Sequence, residues 1–145
     1  MKFCLCILAT VLAAAALCLA AEKDIHQGVL VRGKLIVQEG KPTELQTSDG
    51  RRLRLDGDNP TRKVLGDSRL NGFEVQARGH LSSTGEFTID PIHTHGFMVN
   101  RDGHLKMVTY WCEVCSIRAY TPGPCVCCQQ ETTLDLRDPD QDERQ

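Results

Sequence analysis

Four cysteines near the C-terminus are spaced as two pairs, with two residues between the members of each pair. Cys112 and Cys115 form the first pair, Cys125 and Cys128 form the second, and residues 116–124 separate them. A C-x2-C turn offers two sulfurs from one tight turn of backbone, and two such turns can complete the tetrahedral shell of Zn²⁺. Backbone N–H groups in such turns can also point at the sulfurs and offset their charge. The spacing therefore favours a metal site.

The segment 110–129 resembles the metal-binding knuckles of zinc ribbons and rubredoxin-type domains. Three features carry the resemblance. The first is the turn from Cys112 to Cys115, the second is Tyr120, and the third is Pro124, which directly precedes the second pair. It implies that the ligands of one ion are Cys112, Cys115, Cys125 and Cys128. Ser116 stands where rubredoxins usually carry glycine, which favours zinc over iron. Four thiolates leave no open coordination position, so the resemblance implies that the zinc is structural.

Other uses of these thiols stay open. Cys127 is an extra cysteine, and it could replace Cys128 as the fourth ligand. Two disulfides with one thiol left over are an alternative, because disulfides are the default in exported proteins. A catalytic dithiol is a further alternative, although no thioredoxin-like βαβ pattern surrounds either pair.

Two histidines form a second candidate site. His93 and His95 are one residue apart at a predicted strand end, so they would point to the same face, and Asp90 lies three residues before His93. This set can bind a transition metal, and the nearby Met98 and Met107 would suit copper. We favour the simpler interpretation of a polar strand edge, and we keep both histidines as alternative ligands.

The elements that must position these residues are short strands. Alternating apolar residues predict strands at 28–38, 43–47, 51–55, 73–81 and 86–92, and a helix at 60–65 capped by Asn59. This order resembles an OB-fold barrel. The fold class is therefore mainly β, a five-stranded OB-like barrel with one short helix and a C-terminal zinc-ribbon-like β appendage. Its predicted core includes Val31, Leu53, Val75 and Ile89.

The chain divides into four predicted segments. Residues 1–20 are a signal peptide, with Lys2 before an apolar run and small residues preceding cleavage at Ala21. Residues 21–95 form the barrel, 96–136 a β-hairpin with the cysteine knuckle, and 137–145 a disordered charged tail. The mature protein is then exported, periplasmic or extracellular, and no other segment is apolar enough to enter a membrane.

The function predicted from the sequence is that of a small exported zinc-binding protein whose barrel binds a ligand or protein partner. The chain is nearly neutral, with a formal net charge of −2, and the predicted strand faces offer few aromatic rings for stacking. We therefore expect no binding of nucleic acid. Metal handling of zinc or copper, and redox chemistry with iron or thiols, are the alternatives. No motif favours an enzyme.

Overall fold

Five strands close a barrel in this computed structural model, which describes residues 28–142. The strands are β1 (Val29–Ile36), β2 (Glu44–Gln46), β3 (Arg52–Asp56), β4 (Glu74–Leu81) and β5 (Glu86–Ile89). Their order is β1-β2-β3-β5-β4, and β4 pairs back with β1 to complete the circle. Neighbouring strands are antiparallel except β3 and β5, which are parallel. The predicted fold class, mainly β with an OB-like five-stranded barrel, is confirmed. The predicted signal peptide lies outside the described residues.

The barrel core follows the alternation of the strands. Val75 and Ile89 are buried as predicted, whereas Val31 and Leu53 are only partly buried and pack at the margin of the core. The alternation also predicts that Val29 and Leu81 face inward, but both are exposed. They lie at the beginning of β1 and the end of β4, where each strand runs beyond the enclosed interior.

Helix α1 (Asn59–Leu65) and a 3₁₀ turn (Ser68–Leu70) fill the space between β3 and β4. The predicted cap at Asn59 is wrong, because the residue before it is the N-cap: the Asp58 carboxylate accepts the Thr61 backbone N–H at 2.9 Å. Val64, Leu65 and Leu70 are buried against the barrel interior. The helix is also tied to the sheet, since the Thr43 hydroxyl donates to the Leu65 carbonyl at 2.8 Å.

A second group of strands continues the barrel sheet. It contains β6 (Phe97–Arg101), β7 (His104–Cys112), β8 (Ile117–Ala119) and β9 (Thr133–Arg137), reached through the helical turn α2 (His93–Gly96). On one edge β4 pairs with β1; on the other it pairs first with β6 and then with β5. Likewise β7 pairs with β6 and β8 on one edge and with β9 on the other. The cysteine segment is thus connected to the barrel by continuous strand pairing.

The last described residues continue the regular structure. Arg137 ends β9, and Pro139–Asp142 forms a short helix, α3. The Lys106 ammonium group holds Asp138 at 2.6 Å, which explains how a charged segment stays against β7. Within residues 28–142, no helix has the length and apolar character needed to cross a membrane.

Candidate metal centre

The first cysteine pair lies in the turn that joins β7 to β8. Cys112 ends β7 and pairs with Ile117, the first residue of β8. Inside the turn, the Ser116 N–H donates to the Cys112 carbonyl at 2.8 Å, and Ser116 adopts a left-handed conformation with φ of 53°. A tight turn of this kind directs both thiols, from Cys112 and Cys115, to the same side of the hairpin.

The second pair repeats this turn in a loop without long strands. The Gln129 N–H donates to the Cys125 carbonyl at 2.9 Å, and Gln129 is left-handed with φ of 61°. The Cys125 N–H donates to the Gln130 carbonyl at 2.8 Å, five residues on, as Ile117 is five residues from Cys112. A bridge between Pro124 and Glu131 closes the loop. We call residues 112–117 the first knuckle and residues 125–130 the second knuckle.

The two knuckles bring four sulfurs together. The Sγ atoms of one set all lie within 4.8 Å of one another, namely those of Cys112, Cys115, Cys125 and Cys128. Cys112 Sγ and Cys128 Sγ, from different knuckles, are 3.5 Å apart. An ideal tetrahedral site with Zn–S bonds of about 2.3 Å places its sulfurs about 3.8 Å apart. The donor set and its spacing therefore fit one tetrahedrally coordinated ion.

Burial is shared equally between the knuckles. The first cysteine of each pair, Cys112 or Cys125, is buried, and the second, Cys115 or Cys128, is half-buried. An ion held by these sulfurs would be covered by protein on one side and close to solvent on the other. All five cysteines of the described chain are free thiols.

The electrostatics of the sulfurs differ from one thiol to the next. Backbone N–H groups of Cys128 and Cys127 point at Cys125 and lower its pKa to about 7; the Cys127 N–H lies 3.5 Å from that sulfur. In contrast, contact with the thiols of Cys127 and Cys128 raises the pKa of Cys115 far above its usual range. Like-charged sulfurs this close cannot all ionise by themselves, whereas a divalent cation among them favours the thiolates.

Cys127 lies outside the four-sulfur cluster. It is exposed, while its neighbour Cys128 reaches the sulfur of the other knuckle. Of the two residues that the sequence offered for the fourth position, the structure brings Cys128 into the cluster and leaves Cys127 beside it.

The structure separates the two histidines of the second candidate site. Residues 93–96 form a helical turn rather than a strand end, and in that turn His93 is buried while His95 is exposed. The prediction that both side chains share a face is therefore wrong. Ile92, with φ of 66°, turns the chain into this helix. Within residues 28–142, the group of His, Cys, Asp or Glu side chains that lie close enough together to share an ion consists of the four cysteines.

The other members of the proposed histidine site have different partners. Asp90 pairs with Arg78 at 3.1 Å and with His80 at 3.2 Å. The His93 imidazole is held by the backbone of Tyr120, which lies between the two knuckles, and burial lowers the His93 pKa. Met98 and Met107 are neighbours on β6 and β7 and belong to the sheet. His93 therefore connects the helical turn α2 to the loop that contains Tyr120.

Arg69 connects the cysteine segment to the barrel, and sequence analysis did not find it. Its Nη1 donates to the Thr132 carbonyl at 2.8 Å, and its Nε donates to Asp67 at 2.9 Å. The guanidinium also lies over the Tyr110 ring, 5.1 Å from the ring centre. Thr132 in turn donates its hydroxyl to the Gly123 carbonyl at 2.8 Å, which fixes the start of the second knuckle. No local pattern joins residues 69 and 132.

Comparison with known proteins gives no relative. No protein-family model matches the chain, and neither a curated protein nor a solved structure matches it.

Proposed function

We propose that this protein binds one zinc ion through Cys112, Cys115, Cys125 and Cys128, and that the ion fixes the two knuckles against the barrel. The observation that carries the proposal is the convergence of two turns with the same hydrogen bonds and the same left-handed residue on one group of four sulfurs. Turns of this form supply two sulfurs each, and four thiolates make a closed shell that leaves no position for a substrate. The ion is therefore structural.

The burial of the segment supports a structural role. Of residues 113–131, all of which the structure describes, Cys125 alone is buried. Its knuckle tips carry exposed apolar side chains, with Val114 exposed by 70% and Val126 by 85%. A segment with so little apolar burial gains little from the hydrophobic effect. A bound ion would supply the missing stabilisation, because metal binding and folding share one free energy in such sites.

Metal analysis of the purified protein tests this proposal. We expect about one zinc per chain, a colourless solution, and loosening of residues 113–131 on chelation while the barrel strands keep their amide protection. Two disulfides found by mass in a metal-free protein would overturn it. A coloured iron-loaded protein would support the redox alternative. Loss of metal to a weak chelator without any loosening of the loop would support metal handling.

We also propose that the protein is exported and that the barrel carries a binding surface. Support for export comes from the sequence of residues 1–20, and support for binding comes from the barrel architecture, which commonly binds ligands across its strands. Mass spectrometry of the mature chain checks export, with an N-terminus expected at Ala21. Recovery of the full-length chain in the membrane fraction would contradict it.

A further inference from the structure

The sheet formed by β8, β7 and β9 carries an open groove on the face turned away from the barrel core. Inward-facing residues of these strands, such as Tyr110 and Leu136, belong to the core or pack against it, and alternation turns their neighbours outward. The groove has a volume of about 540 Å³. Its polar and aromatic lining consists of Trp111, Glu113, Arg118, Thr133, Asp135 and Arg137.

Two charged side chains of the groove neutralise each other and hold the aromatic ring. Arg118 lies on β8 and Asp135 on β9, and their side chains meet across β7 with an Nη2–Oδ2 distance of 3.3 Å. The same guanidinium lies over the Trp111 ring, 5.4 Å from the ring centre. The ring is therefore held in one orientation at one end of the groove.

Arg137, at the other end of the groove, carries a charge that no described residue neutralises. Within residues 28–142 its side chain forms no ion pair, and its Nε atom is buried without a hydrogen-bond partner. A charged donor that leaves water without an acceptor costs free energy, and a carboxylate beside the guanidinium would offset that cost. The groove therefore favours a ligand that brings a carboxylate to Arg137.

One edge of β9 has no partner strand. In the described part of the chain β9 pairs with β7 alone, so its other edge presents backbone N–H and C=O groups that can pair with a second chain. Thr133 pairs with Trp111, and Arg137 is four positions further along the strand, roughly 13 Å away in extended backbone. An extended peptide of about five residues matches this length, and many peptides bind by adding a strand to such an edge.

We propose that the free edge of β9 and the adjoining groove bind an extended peptide that carries a carboxylate opposite Arg137. The peptide backbone pairs with β9, and the carboxylate accepts hydrogen bonds from the guanidinium. Glu113, which is exposed at the knuckle end of the groove, disfavours a second carboxylate there, so the ligand bears its negative charge at one end. This surface lies outside the barrel strands β1–β5 and uses none of the four clustered cysteines.

Peptide binding to the wild-type protein tests the proposal. Three peptides with blocked ends are titrated by calorimetry: Thr-Thr-Glu-Thr-Thr, the same peptide with glutamine for glutamate, and the glutamate peptide with N-methylated backbone amides. We expect the first to bind on the order of tenfold more tightly than the other two. Equal binding of the glutamine peptide would refute the carboxylate site, and equal binding of the methylated peptide would refute pairing with β9. No binding of any peptide would overturn the whole proposal.

Fluorescence locates the bound peptide, since Trp111 is the only tryptophan of the chain. We expect the glutamate peptide to change its emission at the concentrations at which calorimetry detects binding. Binding without any change in emission, together with unchanged hydrogen exchange at residues 133–137, would place the peptide elsewhere and overturn the proposal. Zinc content measured in the same samples keeps this result separate from the metal site.

Two variants identify the residue that holds the carboxylate. Arg137→Gln should bind the glutamate peptide on the order of tenfold more weakly than wild type, and no better than the glutamine peptide. Arg52→Gln is the matched control, because it makes the same change of charge at an exposed position on β3, and it should bind as wild type. Equal losses in both variants would mean a general effect of charge and would refute the site. Tighter binding of tetragalacturonate, an acidic sugar chain without peptide N–H groups, would assign the groove to saccharides instead.

Discussion

The barrel and the two knuckles belong to one sheet system but are stabilised in different ways. In the barrel, side chains such as Leu35, Leu45 and Phe87 are completely buried, and each strand pairs with two other barrel strands. In residues 113–131 one residue is buried, and the loop of the second knuckle is closed by a single bridge. Apolar burial stabilises the first region, whereas the proposed ion among the converging sulfurs would stabilise the second. The two regions should therefore fail independently.

The largest expected effect is the loss of a buried ligand. Replacing Cys125 by Ser should abolish metal binding and loosen residues 113–131, because structural zinc sites in small domains bind with about 10–16 kcal/mol of apparent free energy. The barrel strands should keep their protection in hydrogen exchange. Elemental analysis and exchange mass spectrometry measure the two responses. Cys127→Ser is the matched control, and it should retain zinc. Loosening that spreads equally into β1–β5 would refute the independence of the regions.

The converse change removes apolar contact from the barrel. Ile89 is 2% exposed, so replacing it by Ala should lower the free energy of unfolding by about 2–4 kcal/mol. The variant should keep one zinc per chain. Val31→Ala should cost less, since Val31 lies at the margin of the core. Denaturant unfolding at fixed zinc concentration measures both. Equal costs at the two positions would mean that the depth of burial is misassigned.

A smaller effect is expected where the two regions meet. Arg69→Ala removes the donor to the Thr132 carbonyl and leaves the carboxylate of Asp67, 8% exposed, without its guanidinium partner. Hydrogen bonds of charged groups contribute about 1.5–3 kcal/mol, so we expect a loss in that range and faster exchange around residue 132. Arg101→Ala is the control, because Arg101 contacts the ring of Phe73 but lies on the exposed end of β6. Equal losses in both variants would argue against a specific connection.

The smallest effect concerns pH. Burial lowers the pKa of His93 in the folded protein, so below the unfolded pKa of about 6.5 the unfolded chain binds a proton that the folded chain excludes. Stability should therefore be greatest above that pH and fall as the pH decreases towards the lowered pKa. His93→Gln should flatten this slope in the pH range below the unfolded pKa of about 6.5. An unchanged slope in urea unfolding would show that other groups dominate.

The sequence determined the barrel more fully than the connections around it. Period-two alternation located the five strands, because each has one buried face, and it failed at Val29 and Leu81 because alternation does not indicate where an enclosed core ends. The strand β8 was missed, since three residues inside a short spacer are too few to show a period.

The site was predictable where its geometry is local. Two C-x2-C turns locate all four cluster cysteines, because the spacing itself creates each turn. The histidine prediction failed at Ile92, a β-branched residue in a left-handed conformation that such residues rarely adopt. Arg69 was not found, because Arg69 and residue 132 are far apart in the sequence and their contact depends on how β7 and β9 pack beside the barrel.

The position of β4 has a consequence for the order in which the protein folds. β6 pairs with the edge of β4. All five barrel strands precede the first knuckle cysteine in the sequence. Segments nearer the N-terminus become available for folding first, so we expect the barrel strands to pair before residues 112–128 form their two knuckles. The thiols then arrive beside a finished surface that orients β7 directly. The cysteine thiols therefore spend little time free to react with one another before the knuckles form.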